Sequence, residues 1–319
     1  MAKRSKKTTC QEKFKTMIGG QALIEGIMMR GPEKQSIVVR TQDGLAEKVE
    51  ELHPAKEKCP VWGWPLIRGV VNFFASLIGG VKALMYSADF FPEEEESEPS
   101  RFDRWLEKHI GQDKLQKLVV PFAVVLGVAF SVGIFILLPA VVLELLSGVI
   151  PNYLVRNLME GVLRILIFVG YLAAISQMKD MKRVFSYHGA EHKTIRCYEA
   201  RQELTVENVA GMSRFHPRCG TSFLFVVMVI SILVFTVIRV SSPLLRVVLR
   251  LLLLPVVVAI SYEINRFVGR HDNAFTRVLV KPGLWFQNFT TNEPDDSMIE
   301  VAIRALRLVI PEKEGADQW

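Results

Sequence analysis

Hydrophobic residues follow three patterns along this chain, and each predicts a different kind of element. The first is the long apolar run: Leu118 to Ser147, Leu158 to Met178, Ser222 to Val240 and Leu251 to Phe267. The last three are each about 20 residues, the length that carries a helix across a hydrocarbon core of ~30 Å. Pro121 and Pro139 interrupt the first run, Arg164 sits in the second and Pro255 in the fourth. A further stretch, Leu66–Ala88, is weaker, because Arg68 and Lys82 bracket a short run that also holds Asn72 and Gly79-Gly80. It reads as an interfacial or re-entrant helix, with a full span as the alternative.

The second pattern is alternation. Ala22–Met29, Ser36–Thr41 and Leu45–Glu51 read as three strands, with turns at Gly31-Pro32 and Gln42-Asp43-Gly44. They predict a small antiparallel meander that needs another element to pack on.

The third pattern is helical spacing. Met181, Phe185, His188, His192, Ile195 and Glu199 recur at intervals of three and four. They predict an amphipathic helix that continues straight out of the second span. Thr205 can cap a short helix through Val209, and Pro294-Asp295-Asp296 caps a last amphipathic helix, Ser297–Ile310, with Ile299, Ala302, Leu306 and Ile310 on one face.

Together these predict a mainly α polytopic membrane protein, with about four transmembrane helices, a small N-terminal antiparallel β-meander and cytoplasmic amphipathic helices. The expected order is a basic, disordered tail over 1–16, the meander over 17–60 and the interfacial or re-entrant helix over 61–91. An acidic linker and polar helix follow over 92–117, then transmembrane helices 1 and 2 over 118–178 and a His/Cys-bearing segment over 179–221. Transmembrane helices 3 and 4 span 222–268, and a C-terminal segment over 269–319 carries the helix 297–310.

Composition supports the membrane reading. Half of the residues are hydrophobic, 50%, and mean hydropathy is positive. Lysines and arginines crowd Met1–Lys15 and Lys179–Arg218, which places both on the cytoplasmic side, and four spans then leave the N- and C-termini cytoplasmic. No apolar core of a secretory signal follows the basic start. The net charge of +6 fits positive-inside loops beside an anionic leaflet and calls for no nucleic acid. The expected partners are the lipid bilayer and a protein at the cytoplasmic face. Cys10, Cys59, Cys197 and Cys219 contain no C-x-x-C pair, so they are reduced thiols or ligands and not a disulfide frame.

The chemistry centres on His188-Gly189-Ala190-Glu191-His192. Histidines four apart on a helix stand one turn apart on one face and can share a metal ion. The order His-x-x-Glu-His inverts the zinc-peptidase motif. A divalent metal suits the pair, zinc above others, with Glu191 as the general base that activates water. His216 and Cys219 lie three apart across a proline turn and can add ligands. Glu263, at the end of the fourth run, is another candidate third ligand, or the partner of Arg266 or Arg183. Four protein ligands would close the site, whereas catalysis keeps one position open. His271 and Asp272 are weaker candidates of the same kind. Inside the spans, Glu144 and Arg164 form a candidate interhelical pair.

Several blocks resemble a known family. Gly19-Gly20-Gln21-Ala22-Leu23-Ile24-Glu25-Gly26-Ile27-Met28-Met29-Arg30-Gly31-Pro32 is similar to the N-terminal signature of the bacterial YqhQ-like membrane proteins. Arg68-Gly69-Val70-Val71-Asn72, Lys82-Ala83-Leu84-Met85, Tyr187 to Lys193, His216 to Thr221 and Glu293-Pro294-Asp295-Asp296 carry the same resemblance. It covers residues 17 to 310 or so. It implies a bacterial inner-membrane location and a domain of unknown function usually labelled a predicted metal-dependent enzyme. It also draws attention to Gln21, Glu25 and Arg30, through a meander packed over the histidine helix with Glu25 or Arg30 lining the site. The reading is thus a membrane-anchored, metal-dependent zinc hydrolase with its site at the cytoplasmic face. The alternative is a non-catalytic scaffold or assembly factor with a structural zinc site.

Overall fold

The computed structural model describes residues 14–53, 57, 59–91, 112–236, 240, 243–271, 273–313 and 315–318. The acidic linker at 92–99, most of the polar helix expected at 101–117, Asp272 and nearly all of the basic tail lie outside the described residues.

The alternating N-terminal segment folds as a four-stranded antiparallel sheet in the order β1 (Gly19–Leu23), β2 (Gly26–Arg30), β3 (Lys34–Thr41) and β4 (Gly44–Glu51). The stretch expected as one strand, Ala22–Met29, is instead a tight hairpin that pairs Leu23 with Gly26. Its turn puts Glu25 at φ 49°, a left-handed conformation that side chains seldom adopt. The Glu25 carboxylate pairs with Arg183 and accepts a 3.2 Å hydrogen bond from Tyr187 Oη. The turn is therefore fixed by tertiary contacts and not by turn residues.

The central strands are buried on both faces. Ile27, Met29 and Val38 point into one core, while Met28, Ile37 and Val39 point into another. This is the period of two that a strand imposes. The first core is closed by α5 (Lys179–Glu199) and α10 (Asp296–Arg307), and the second by Ala83 of α1 (Ile67–Ala88). Asp295 caps α10 by accepting the Met298 N–H at 2.9 Å, and Met298, Ile299, Val301, Ala302, Ile303, Ala305 and Leu306 are buried. The apolar face of this helix is thus core and not a free docking surface.

The remaining helices are apolar. Helix α2 (Gln112–Val132) runs through a wide turn at Gly133–Leu137 into α3 (Leu138–Leu145), and α4 is Tyr153–Ile175. The short α6 (Val206–Ala210) is capped by Thr205, as its sequence predicts. Then come α7 (Gly220–Thr236), α8 (Pro243–Arg270) and α9 (Ala274–Thr290). Among the described residues, four helical stretches are long and apolar enough to cross a membrane: Ile67–Ala88, Phe122–Leu145, Tyr153–Ile175 and Leu245–Arg270. Their outer faces present large apolar side chains, with Leu145 81% exposed, as a lipid-facing bundle requires.

The expected number of spans is reproduced, but the set differs. Helix α1 qualifies by length, whereas α7, expected to run to Val240, is described over 17 residues, with 237–239 outside the described residues. By packing, α1 is unlike the others. Gly80 lies against Gln21, and Ala83 joins the core under the sheet. At its other end Asn72 Nδ2 donates to Tyr262 Oη at 2.8 Å and Arg68 Nε donates to Glu263 Oε1 at 2.7 Å. The second span also does not run straight into α5. The chain breaks at Ser176–Met178, where Met178 is extended.

A candidate metal centre at the foot of the bundle

Helix α5 holds His188 and His192 one turn apart, with ring centroids 4.3 Å from each other. Cys219 stands just before α7. One ligand atom from each of the three lies within 4.8 Å of the others. Among the described residues they form the group that could hold a metal ion.

The backbone fixes the state of both rings. His188 Nδ1 lies 2.8 Å from the Thr290 carbonyl oxygen, and His192 Nδ1 lies 2.6 Å from that of Arg214. A carbonyl can only accept, so each Nδ1 carries a proton, and in the neutral ring Nε2 is then the nitrogen left with a lone pair. Cys219 Sγ lies 3.1 Å from His188 Nε2, within hydrogen-bond reach. His192 Nε2 is buried without a hydrogen-bond partner. Burial, with the neighbouring His188 and His216 working the same way against Cys219, lowers the His192 pKa to about 4. The ring is therefore neutral near pH 7. Neutral imidazoles whose far nitrogens are tied to carbonyls are how proteins orient metal-binding histidines. The orphaned Nε2 and the thiol give this site the donor chemistry of zinc.

Glu191 stands beside the cluster, 5% exposed. Its Oε1 accepts the Gly20 N–H at 3.0 Å, and its Oε2 is buried without a partner. Burial raises its pKa to about 7, against the pull of His188 and the Gly20 hydrogen bond. Gly20 makes this approach feasible, since a Cβ there would sit 3.0 Å from the Glu191 carboxyl carbon and 2.6 Å from the Met28 oxygen. Gly189 does the same for the crossing behind the helix, where a Cβ would meet the Asn292 oxygen at 2.0 Å. A cavity of about 490 Å³ adjoins the cluster, lined by His188, Glu191, His192 and Cys219 together with Met17, Ile18, Val184, Phe185 and Leu224.

The other candidates lie elsewhere. His216 borders the cavity, but its Nε2 points to Glu199 Oε2 at 3.5 Å, and Gln287 holds its backbone at both N and O. Burial opposes charge on Glu199, yet His216, Arg218 and the Thr16 N–H hold its carboxyl below the usual range. His216 is thus engaged by an anion and stands outside the ligand group. Glu263 is on α8, in an ion pair with Arg68 and not with Arg266 or Arg183. His271 stacks on Phe267.

The meander does pack over the histidine helix, but Gly20 and Gln21 of β1 line the cavity. Glu25 turns to Arg183, and Arg30 reaches toward Ser76. The expected pair of Glu144 with Arg164 is replaced by two others. Arg164 pairs with Glu160, and Glu144 with Arg246. Sequence reasoning missed Gly20, Thr290 and Arg214. The last two act through backbone carbonyls, which side-chain identity does not reveal. Gly20 is visible only as half of a Gly-Gly pair.

A mixed fold of apolar helices on a small sheet, with a His/His/Cys cluster where the two meet, defines a polytopic membrane protein with a candidate metal centre. A family described as a protein of unknown function, DUF1385, matches residues 64–312. The protein named "Uncharacterized protein YqhQ" of Bacillus subtilis (strain 168) is 34% identical over 292 residues, covering 90% of each chain. The chain belongs to this YqhQ-like family. No solved structure matches it.

Proposed function

We propose that the protein is a membrane-embedded, zinc-dependent hydrolase whose site is the cavity at the foot of the bundle. His188, His192 and Cys219 hold the ion, and a zinc ion there supplies Lewis acidity and brings the pKa of water to about 7. The observation that carries the reading is a three-ligand group beside a buried carboxylate with one free oxygen, both on the wall of the same cavity. A closed structural site needs a fourth protein ligand, and His216, one candidate, has its Nε2 turned to Glu199.

The chain's own residues define the proton path. Gly20 fixes Oε1 of Glu191 and leaves Oε2 to accept a proton as water attacks the carbonyl carbon of an amide or ester. Glu191 returns that proton to the leaving nitrogen or oxygen as the C–N or C–O bond breaks. A buried carboxylate with one unpartnered oxygen beside the ligand group can both take up and return a proton.

The membrane arrangement supported best keeps the sheet, α5 and α10 on one side, because they form one core, and that side is the cytoplasmic one because lysines and arginines crowd Lys179–Arg218. The spans are then Phe122–Leu145, α4, α7 and α8, with both ends of α1 on the side of the sheet, in a bacterial inner membrane.

The test uses full-length protein in detergent micelles, with zinc content and hydrolysis of p-nitrophenyl acyl esters measured together. Glu191→Gln is expected to keep its zinc and lose turnover by about 10²–10⁴-fold, while His188→Ala loses both. Turnover unchanged in Glu191→Gln, or wild-type protein that takes up no zinc, would overturn the reading.

A further inference from the structure

A second buried polar cluster lies at the opposite end of the bundle. Helix α4 carries Arg156, Glu160 and Arg164 at successive four-residue steps, and α8 carries Arg246 and Arg250 at the same spacing. Such steps stack side chains on one helix face. They form a ladder from the start of both helices to Arg164, about 16 Å along α4 at 1.5 Å per residue.

Arg250 is 2% exposed and binds Glu160 with both terminal nitrogens. Arg164 shares the same carboxylate at 3.1 Å and donates to the Phe135 carbonyl and Ser231 Oγ. Both guanidiniums also lie over the Phe235 ring. Near the mouth, Arg246 is 5% exposed and bound to Glu144 Oε2 at 2.8 Å and to the Val240 carbonyl. Among the described residues this ladder sets four guanidiniums against two carboxylates.

Excess buried positive charge is costly in a low-dielectric bundle unless an anion compensates it. The ladder ends in a cavity of about 540 Å³ lined by Glu144, Asn152, Tyr153, Arg156, Thr236 and Arg246. The Nε atoms of Arg156 and Arg246, both residues of the cavity wall, are buried without hydrogen-bond partners.

We propose that this cavity is a binding site for a phosphate group, held by the guanidinium of Arg156, with Arg246, already bound to Glu144 and Val240, adding positive charge at the wall. A guanidinium fork matches two oxygens of a phosphate, and a cavity at a membrane end admits a phospholipid headgroup as readily as the free ion. The site is independent of the metal centre, which lies at the other end of α4.

The experiment follows thermal unfolding of full-length protein in detergent micelles in two arms. One replaces chloride by inorganic phosphate at constant ionic strength. The other replaces phosphatidylcholine by phosphatidylglycerol at constant total lipid. A saturable rise in Tm in either arm supports the site, and the responding arm identifies free anion or headgroup as the source. Arg156→Gln is expected to weaken the apparent affinity about tenfold, the scale of one charge-assisted hydrogen bond. Arg156 is half-buried and sits over the Tyr153 ring, so this change spares the Glu144–Arg246 pair. Arg156→Lys, which keeps the charge but loses the fork, falls between the two. No saturable rise in either arm, or an equal rise in wild type and Arg156→Gln, would overturn the proposal.

Discussion

The two ends of the helical bundle bury polar groups in opposite ways. At the foot, the rings of His188 and His192 converge with a thiol and a carboxylate, and among the described residues no cationic side chain joins the ligand group. At the far end, Arg164 and Arg250 crowd one carboxylate, and the surplus is positive. The first cluster gathers electron-pair donors, and among the described residues the second holds more guanidiniums than carboxylates. Burial makes both imbalances matter, because electrostatic interactions strengthen as water is removed. The contrast teaches that an internal charge balance read residue by residue can indicate the sign of a missing ligand.

The comparison breaks first at Glu160. Replacing it by Gln leaves two guanidiniums without their carboxylate, and the expected cost is about 3–5 kcal/mol, seen as loss of the folded, monodisperse protein on size-exclusion chromatography. Leu306→Ala, in the core between α10 and the sheet, should cost about 2–5 kcal/mol in thermal unfolding, and it calibrates the membrane change against an ordinary core cavity. At the foot of the bundle the effect shifts from stability to binding. Cys219→Ser should weaken zinc affinity by at least about 100-fold, beyond the 10–100-fold typical of losing a second-shell partner, as read by competition with a chromophoric chelator. Glu191→Gln should change stability by less than about 1 kcal/mol, since the amide oxygen still accepts from Gly20. The smallest effect belongs to His216→Ala, for which zinc stoichiometry should not change. A loss of zinc there would return His216 to the ligand set and close the site.

Much of this was legible in the sequence, for physical reasons that differ by element. Helix α10 could be read from Asp295, Ile299, Ala302 and Leu306 because capping and a narrow apolar stripe are local properties. The histidine pair was legible because four-residue spacing fixes a shared face whatever surrounds it. The β1–β2 hairpin was not, because Ile24-Glu25 carries no turn chemistry, and its left-handed Glu25 is held by Arg183 and Tyr187 on a helix far along the chain. Partner choice among charges was illegible for the same reason. Glu263 could have met Arg266 or Arg183, yet α1 brings Arg68 to it. Glu144 meets Arg246 of α8 even though its own helix packs along α4, whose Arg164 turns instead to Glu160. His216 kept the right neighbourhood but turned its ring to Glu199, a rotamer-level outcome that spacing cannot specify.

The arrangement of the spans adds one more way to sharpen the contrast. Cytoplasmic reporters fused to the C-terminus should be active, since α10 shares its core with the sheet and α5. Activity only of reporters that require export would place the foot of the bundle on the outer side.

The central claim is that three protein ligands leave one position of the metal open. X-ray absorption at the zinc edge of the loaded full-length protein measures this directly. The account predicts one sulfur at about 2.3 Å and two imidazole nitrogens at 2.0–2.1 Å, with one further light atom that is not an imidazole. A shell with three imidazoles, a shell without sulfur, or protein that binds no zinc would contradict it.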